Sequence, residues 1–201
     1  MTRIEREKQT VRKMIELYCR HRLKVDTMPE LKGGLFIGIK YNKDGVTVCA
    51  AVAAATEDDR TFVEVVGRHK VREGTGWILK FIKKLGDNID MIVIDGKNGI
   101  EILKDELKEA DLIAPHSMKT EEVIEAAQRF ENGIYQRTIC HMEQPSLSNV
   151  IANCEHRMIG SGGGFGYKPI NELMDIALME SVMLAHWAAD KFEVTEQGIS
   201  Y

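Results

Sequence analysis

The sequence predicts an α/β fold in which a mixed sheet carries helices on both faces. Three strand-like apolar runs come first, at residues 35–41, 46–55 and 61–67, with only short connections between them. From residue 74 onward, segments with helical spacing of apolar residues alternate with further strand-like runs. Strands joined by short turns pair antiparallel, whereas strands joined through helices pair parallel. Both kinds of pairing are therefore expected in one sheet.

The first three strands are typical of a meander. Residues 35–41 alternate little and read as a buried strand, and Asp44-Gly45 closes a turn signal that leads into the second run. The third run, TFVEVVG, is rich in β-branched and aromatic residues. A helix then begins after Gly74-Thr75-Gly76, because apolar residues recur at helical spacing: Trp77, Ile78, Phe81, Ile82 and Leu85.

The second half continues the alternation. Residues 91–94 form a continuous apolar run, which is typical of a buried parallel strand. A helix over residues 100–107, a short strand at 112–114 and a helix beginning near Thr120 follow it. Residues 170–189 are predicted to form a long helix with Asn171 as its N-cap.

The order of elements is that of ribonuclease H-like folds, whereas doubly wound nucleotide-binding folds begin βαβ. We expect the ribonuclease H-like domain to occupy residues 35–192. Residues 1–24 are predicted to form a basic amphipathic helix, 25–34 a linker, and 193–201 a tail. The core of the domain is expected to fold without residues 1–24.

The composition is that of an ordinary globular protein, with 44% hydrophobic and 29% charged residues. A net charge of −4 argues against nucleic-acid binding through overall charge and leaves only local basic surfaces, such as residues 68–72. No apolar run approaches the roughly 18 residues of a membrane span, and the N-terminus is charged, so we expect no membrane association and a cytoplasmic location. The 4 cysteines lack CxxC spacing and are predicted to be free thiols.

The glycine-rich segment GSGGGFGYK, residues 160–168, does not predict a nucleotide cofactor. A Walker loop has lysine directly after its last glycine, but Tyr167 separates Gly166 from Lys168. The segment is interpreted as a flexible stretch in which backbone passes close to substrate or to metal-bound carboxylates.

Three carboxylates are the candidate catalytic and metal-binding residues: Asp44 after the first strand, Asp95 at the end of the fourth, and Asp175 on the last helix. Glu180, five residues further on, is a fourth candidate ligand. Mg²⁺ and Mn²⁺ prefer oxygen ligands, and two such ions about 4 Å apart activate water against a phosphodiester. The alternatives are structural: Asp95 as a helix cap, and Asp175 as an acidic residue favoured by a helix dipole.

An ordered series of segments resembles the nuclease domain of tailed-phage terminase large subunits: residues 38–48, 74–77, 92–97, 157–160, 175–180 and 186–189. The resemblance implies a two-metal endonuclease, dependent on Mg²⁺ or Mn²⁺, that cuts concatemeric phage DNA during genome packaging. Asp95 and Asp175 match the family's metal-binding acidic positions. The implied partners are double-stranded DNA and a terminase ATPase, small terminase subunit or portal, in the cytoplasm of a bacterial host.

The chain departs from this family in two ways. Lys40 stands where an aspartate is common, and Asp44 is its nearest substitute. Walker motifs of the family's ATPase motor are absent from the sequence, which suggests a separately encoded nuclease subunit, a prophage remnant or a fragment. The predicted function is the metal-dependent endonuclease, and one alternative stays open. Asp95 and Asp175 favour the endonuclease, whereas Lys40 favours a catalytically inactive DNA-binding or packaging-assembly module.

Overall fold

A six-stranded mixed sheet organises the computed structural model, which describes residues 13–14, 16–18, 23–97 and 99–197, with helix side chains only as far as residue 192. The strands run in the order β5-β4-β1-β2-β3-β6, and a separate hairpin pairs β7 with β8. β1–β2 and β2–β3 are antiparallel, while β1–β4, β4–β5 and β3–β6 are parallel. The bounds are β1 Leu31–Tyr41, β2 Thr47–Thr56, β3 Thr61–Lys70, β4 Ile89–Asp95, β5 His116–Ser117, β6 Ile139–Cys140, β7 Cys154–Ile159 and β8 Gly164–Pro169.

Helices cover both faces of this sheet. They are α1 Gly76–Leu85, α2 Ile100–Glu109, α3 Thr120–Gln136, α4 Pro145–Ala152 and α5 Ala177–Gln197, with short 3₁₀ turns at Val71–Glu73 and Gly86–Asn88. Alternate residues of β1 divide between two apolar cores, because side chains alternate across a strand. Phe36 joins the core of α3, α4 and α5, whereas Ile37 and Ile39 join that of α1 and α2. The predicted ribonuclease H-like fold is confirmed.

The central helix α5 lies directly on β1. A Cβ atom added to Gly38 would lie 2.2 Å from the Ser181 carbonyl oxygen and 2.5 Å from the Ala185 nitrogen. Glycine is therefore required for the two backbones to approach this closely. Since Glu180 precedes Ser181 on α5 and Lys40 follows Gly38 by two residues on β1, this contact also sets the separation of those two side chains.

Two of the predicted strands, the first and the fifth, are placed wrongly. β1 begins at Leu31, inside the predicted linker, and its first residues pair with the end of β2 across a bulge that contains Gly33 at a φ of 71°. The strand predicted at residues 112–114 is absent. Leu112 instead donates its backbone N–H to the carbonyl of Leu107 at the end of α2, and the strand beside β4 is His116–Ser117.

The glycine-rich segment and the last helix also differ from expectation. Residues 160–163 form the turn of the β7–β8 hairpin, with Gly160 and Gly163 at positive φ, so the segment is a defined hairpin. α5 begins at Ala177, not at residue 170. Asn171 accepts a hydrogen bond from the Leu173 N–H in a separate turn, so it caps no helix.

Part of the N-terminal segment packs into the main core. Residues 13, 14 and 16–18 are helical, and the rest of residues 1–22 lies outside the described chain. Met14, Tyr18 and Leu23 are at most 1% exposed, and the Tyr18 ring stacks on that of His141 with 4.2 Å between centroids. The expectation that the domain closes without residues 1–24 conflicts with these buried contacts.

Side-chain bonding completes the outer edge of β3. Only Thr61 and Phe62 pair with β6. Further along, the Val65 N–H donates to Gln144 Oε1 at 2.8 Å, and Gln144 Nε2 donates to the Val65 carbonyl at 3.0 Å. One amide thus satisfies both groups that a neighbouring strand would otherwise bind.

Cys49 and Cys140 are buried free thiols, as predicted, Cys154 is also buried, and Cys19 lies outside the described chain. Within the parts of the chain that the structure describes, none of the helices combines the length and apolar character that crossing a membrane requires.

Candidate active site

Four residues form a row across the sheet at the carboxyl end of β4. Asp95 of β4 is the register partner of Lys40 of β1, Lys40 that of Cys49 of β2, and Cys49 that of Arg68 of β3. Register partners project from the same face of a sheet. This is the face of α5, because Cys49 belongs to the same apolar core as that helix. A carboxylate, an ammonium group, a thiol and a guanidinium group therefore lie side by side beneath the start of α5.

Lys40 is the centre of the row. Its Nζ atom lies 2.5 Å from Asp95 Oδ2 and 3.4 Å from Glu180 Oε2. The three side chains are only 13–20% exposed. Burial lowers the pKa of Lys40, but the charges and hydrogen bonds of Glu180 and Asp95 outweigh it and raise this pKa above its usual value. Lys40 is therefore a firmly charged ammonium between two carboxylates.

Glu180 is the most strongly desolvated member of the group. Burial raises its pKa, Lys40 opposes that rise, and the neighbouring Asp95 charge adds to it, so the net direction is upward. Lys40, 3.4 Å away, is the cation that opposes this rise most strongly. Sequence reasoning ranked Glu180 as the weaker ligand candidate because it is five residues from Asp175, yet Glu180 rather than Asp175 contacts the Lys40–Asp95 pair.

Asp175 lies just before α5 and serves two partners. Its Oδ1 accepts a hydrogen bond from the Ala177 N–H at 2.8 Å, which caps the helix, and its Oδ2 lies 3.1 Å from Arg68 Nη2. The side chain is 11% exposed. The sequence placed Asp175 within the helix, and the structure corrects this: Asp175 precedes the helix and stabilises its first turn.

Asp44 lies in the exposed turn between β1 and β2. Its Oδ1 accepts a hydrogen bond from the Val46 N–H at 2.9 Å, which stabilises the turn. Its role as the substitute for the missing first aspartate stays a prediction. Among the residues whose placement is described, no three or more His, Cys, Asp or Glu side chains are grouped so as to hold a metal ion.

The helix that follows Asp95 is not capped by a side chain. α2 begins at Ile100 with Gly99 in the N-cap position and no side-chain hydrogen bond there. Asp95 instead accepts a hydrogen bond from Lys40. Gly96 leaves room for Tyr41, because a Cβ atom added at residue 96 would lie only 2.7 Å from the Cβ atom of Tyr41. The capping alternative for Asp95 is therefore not realised.

Cys49 and Arg68 are the site residues that sequence reasoning missed. Burial, assisted by the Asp175 charge and opposed by Arg68, raises the pKa of the Cys49 thiol to about 12, so it is not a nucleophile. Arg68 appeared in the sequence only as part of a basic surface. A bulge between Ala50 and Ala51 shifts the β2–β3 register, so counting residues along the two strands does not align Arg68 with Cys49.

The balance of positive and negative side chains bears on whether divalent ions fit this site. Asp95, Glu180 and Asp175 contribute three negative charges, Lys40 and Arg68 contribute two positive charges in direct pairs with them, and the charge of Arg157 also acts on Glu180. Hard divalent ions bind clusters of ionised oxygen ligands. Here each carboxylate is already bonded to a cation of the chain. The residues as arranged therefore do not fit the pair of metal ions that the fold family implies.

Several solved structures share this fold. The HK97 bacteriophage large terminase superposes with a TM-score of 0.62 and 13% identity over 89% of this chain, which corresponds to 43% of that protein. The large terminase nuclease from thermophilic phage G20c with bound magnesium gives a TM-score of 0.59 and 12% identity, covering 88% of this chain and 95% of that one. A human cytomegalovirus terminase nuclease domain, soaked in Mn and inhibitor-bound, gives 0.52 and 11% identity, covering 91% of this chain and 96% of that one.

Sequence comparison adds no further assignment, since no protein-family model and no curated protein matches this chain. The chain spans less than half of the HK97 protein but nearly the whole of the isolated nuclease domains. The structural likeness bears on the fold, and it agrees with the resemblance found in the ordered sequence segments. The chain is thus similar throughout most of its length to the nuclease domains of phage large terminases, and its fold is terminase nuclease-like.

Proposed function

We propose that this chain is a catalytically inactive terminase nuclease-like module that binds DNA or assembles with packaging proteins. The observation that carries the proposal is the position of Lys40, which contacts both Asp95 and Glu180. A two-metal nuclease uses such carboxylates to hold ions that activate water and stabilise the leaving oxygen. An ammonium group donates three hydrogen bonds and accepts none, so Lys40 cannot serve as a ligand.

The proposed partner is double-stranded DNA, together with a terminase ATPase, small terminase subunit or portal in the host cytoplasm. Exposed basic side chains at the β3 end of the row and beyond it, namely Arg68, Lys70 and Arg72, support contact with phosphates despite the overall charge of −4. Such contacts give binding that weakens steeply as salt concentration rises.

The second candidate function is a metal-dependent endonuclease that cuts concatemeric phage DNA. Two observations support this function. Asp95 and Glu180 share one cation, Lys40, and Asp175 lies at the start of α5, the helix that carries Glu180. In this alternative, Mg²⁺ or Mn²⁺ displaces Lys40, and Asp44 supplies a further ligand. The G20c nuclease structure that contains magnesium supports divalent-ion use in proteins of this fold.

Plasmid cleavage separates the two functions. Purified wild-type protein is incubated with supercoiled plasmid in Mn²⁺, in Mg²⁺ and in excess chelator, beside Asp95→Asn. We expect no metal-dependent nicking by wild type, together with salt-sensitive DNA retention in a gel-shift assay. Metal-dependent cleavage that Asp95→Asn abolishes would establish the endonuclease instead. Cleavage that persists in chelator would exclude both proposals.

A further inference from the structure

We propose that Lys40 is a built-in cation that takes the place of a divalent ion, so that Asp95 and Glu180 form a latent metal site which substitution of this lysine opens. The inference rests on the proposed function and deepens it. It assigns a chemical role to Lys40 and predicts a binding activity that the wild-type chain does not have.

The two carboxylates require a cation. Asp95 and Glu180 are 20% and 13% exposed, and an ionised carboxylate removed from water without a partner is strongly disfavoured. The close approach of α5 to β1 at Gly38 keeps the backbone of Glu180 beside this end of β1. The fold therefore fixes two like charges beside each other, and something positive must lie between them.

Lys40 is positioned to be this cation. Lys40 is the direct register partner of Asp95 in the parallel β1–β4 pair, and its Nζ reaches Asp95 and Glu180 together. An aspartate at residue 40 would project from the same face but would be shorter. It would add a third carboxylate and remove the ammonium from the space between the other two. Three convergent carboxylates with room for water suit Mn²⁺ or Mg²⁺.

Arg68 takes no part in the latent site. Arg68 pairs with Asp175, on the far side of Cys49 from Lys40, and Asp175 is also committed to capping α5. Neither residue needs to move when residue 40 changes. The latent site is therefore Asp95 and Glu180 with whatever residue 40 supplies, and Asp175 is not required for the first ion.

The test measures Mn²⁺ binding and thermal unfolding, without reference to DNA cleavage. Three proteins are compared: wild type, Lys40→Asp and the matched control Lys43→Asp, which makes the same charge change in the exposed β1–β2 turn. Manganese EPR titration reports binding, and the shift of Tm with Mn²⁺ and its reversal by chelator report coupling to the fold. We expect saturable binding and a chelator-reversible rise in Tm for Lys40→Asp alone.

A second substitution identifies the ligands. Changes to residues that merely support metal ligands already cost about tenfold in affinity. Glu180→Gln introduced into Lys40→Asp should therefore weaken Mn²⁺ binding by at least about that factor. Retention of the full affinity would overturn the proposed ligand set.

Other outcomes overturn the inference directly. One is saturable Mn²⁺ binding by wild type that Asp95→Asn removes, because Lys40 would then not exclude the ion. If Lys40→Asp folds only in Mn²⁺, the inference is supported. If it folds in neither condition, Lys40→Asn provides the test, and no Mn²⁺-dependent rise in Tm for that variant would overturn it. Plasmid cleavage by wild type that survives Asp95→Asn would end the proposed function while leaving the metal inference intact.

Discussion

Arg68 and Asp175 join β3 to the start of α5 across 107 residues of sequence, with 3.1 Å between Arg68 Nη2 and Asp175 Oδ2. The other oxygen of Asp175 caps α5. One carboxylate thus connects the sheet to the helix that brings Glu180 to Lys40. Its structural and electrostatic roles can be separated, because asparagine retains the capping oxygen but loses the charge.

Substitutions of Asp175 should therefore differ in cost. Asp175→Ala removes the cap and should reduce the free energy of unfolding by about 1 kcal/mol. Asp175→Asn retains the cap and loses only the pair with Arg68, which is half exposed, so about 0.5 kcal/mol is expected. Urea denaturation followed by circular dichroism measures both. Equal losses in the two variants would show that the charge, not the cap, is the main contribution.

Removing Lys40 should destabilise the fold more than any surface lysine does. Lys40→Met leaves Asp95 and Glu180 without their shared cation, and breaking a buried ion pair in this way costs about 3 kcal/mol. Lys43→Met, in the exposed turn, is the control and should change stability little. Denaturant midpoints measured in chelator give the comparison. A Lys40→Met protein as stable as the control would mean that the carboxylates need no cation.

The N-terminal segment should contribute measurably to stability. Tyr18 is 1% exposed and stacks on His141, so Tyr18→Ala should cost about 3 kcal/mol. Glu16→Ala, on the exposed side of the same helical turn, is the matched control. Deletion of residues 1–24 should lower Tm further, since it also removes Met14 and Leu23. Unchanged unfolding of the deleted protein would restore the view that the domain closes without this segment.

Buried His186 should make the protein sensitive to acid. Burial lowers its pKa to about 4, with Asp190 opposing and Arg129 adding to the shift. The unfolded chain binds this proton near pH 6.5, so it holds more protons than the folded state between these values, and stability falls as pH decreases through that window. The slope from this group is at most about 1.4 kcal/mol per pH unit.

His186→Leu removes this titration. The free energy of unfolding should then fall less between pH 6.5 and 4.5 than it does for wild type, whatever the absolute stability of the variant. Leu173→Ala, at an exposed position that carries no ionisable group, should retain the wild-type slope. Denaturant titrations at a series of pH values supply the slopes. Parallel curves for wild type and His186→Leu would show that His186 is not the group responsible.

Periodicity predicted the parts of the fold that depend on local pattern. The apolar run before Asp95 forms β4, and the meander of β1 to β3 is as expected, because burial on one or both faces leaves a signature in the sequence. β5 was misplaced because its two residues are defined by pairing with β4 and not by any pattern of their own. Element boundaries near Leu31 and Ala177 likewise depend on tertiary contacts.

The site was predictable only in part, for a similar reason. Asp95 and Lys40 could be recognised as unusual from sequence, but their pairing depends on strand register. The contact of Glu180 with Lys40 depends on how closely α5 approaches β1, which Gly38 permits. The assignments of Asp44, Asp95, Asp175 and Glu180 as metal ligands stay predictions, and Asp95→Asn and Glu180→Gln test two of them.

The amide of Gln144 has a consequence for solubility. Sheets with long open edges recruit strands from other molecules, and proteins commonly block such edges with short strands or covering side chains. Here both outer strands have two residues, and Gln144 occupies the Val65 backbone groups beyond the β3–β6 pairing. A single glutamine thereby occupies the two backbone groups through which a strand of another molecule would pair at Val65.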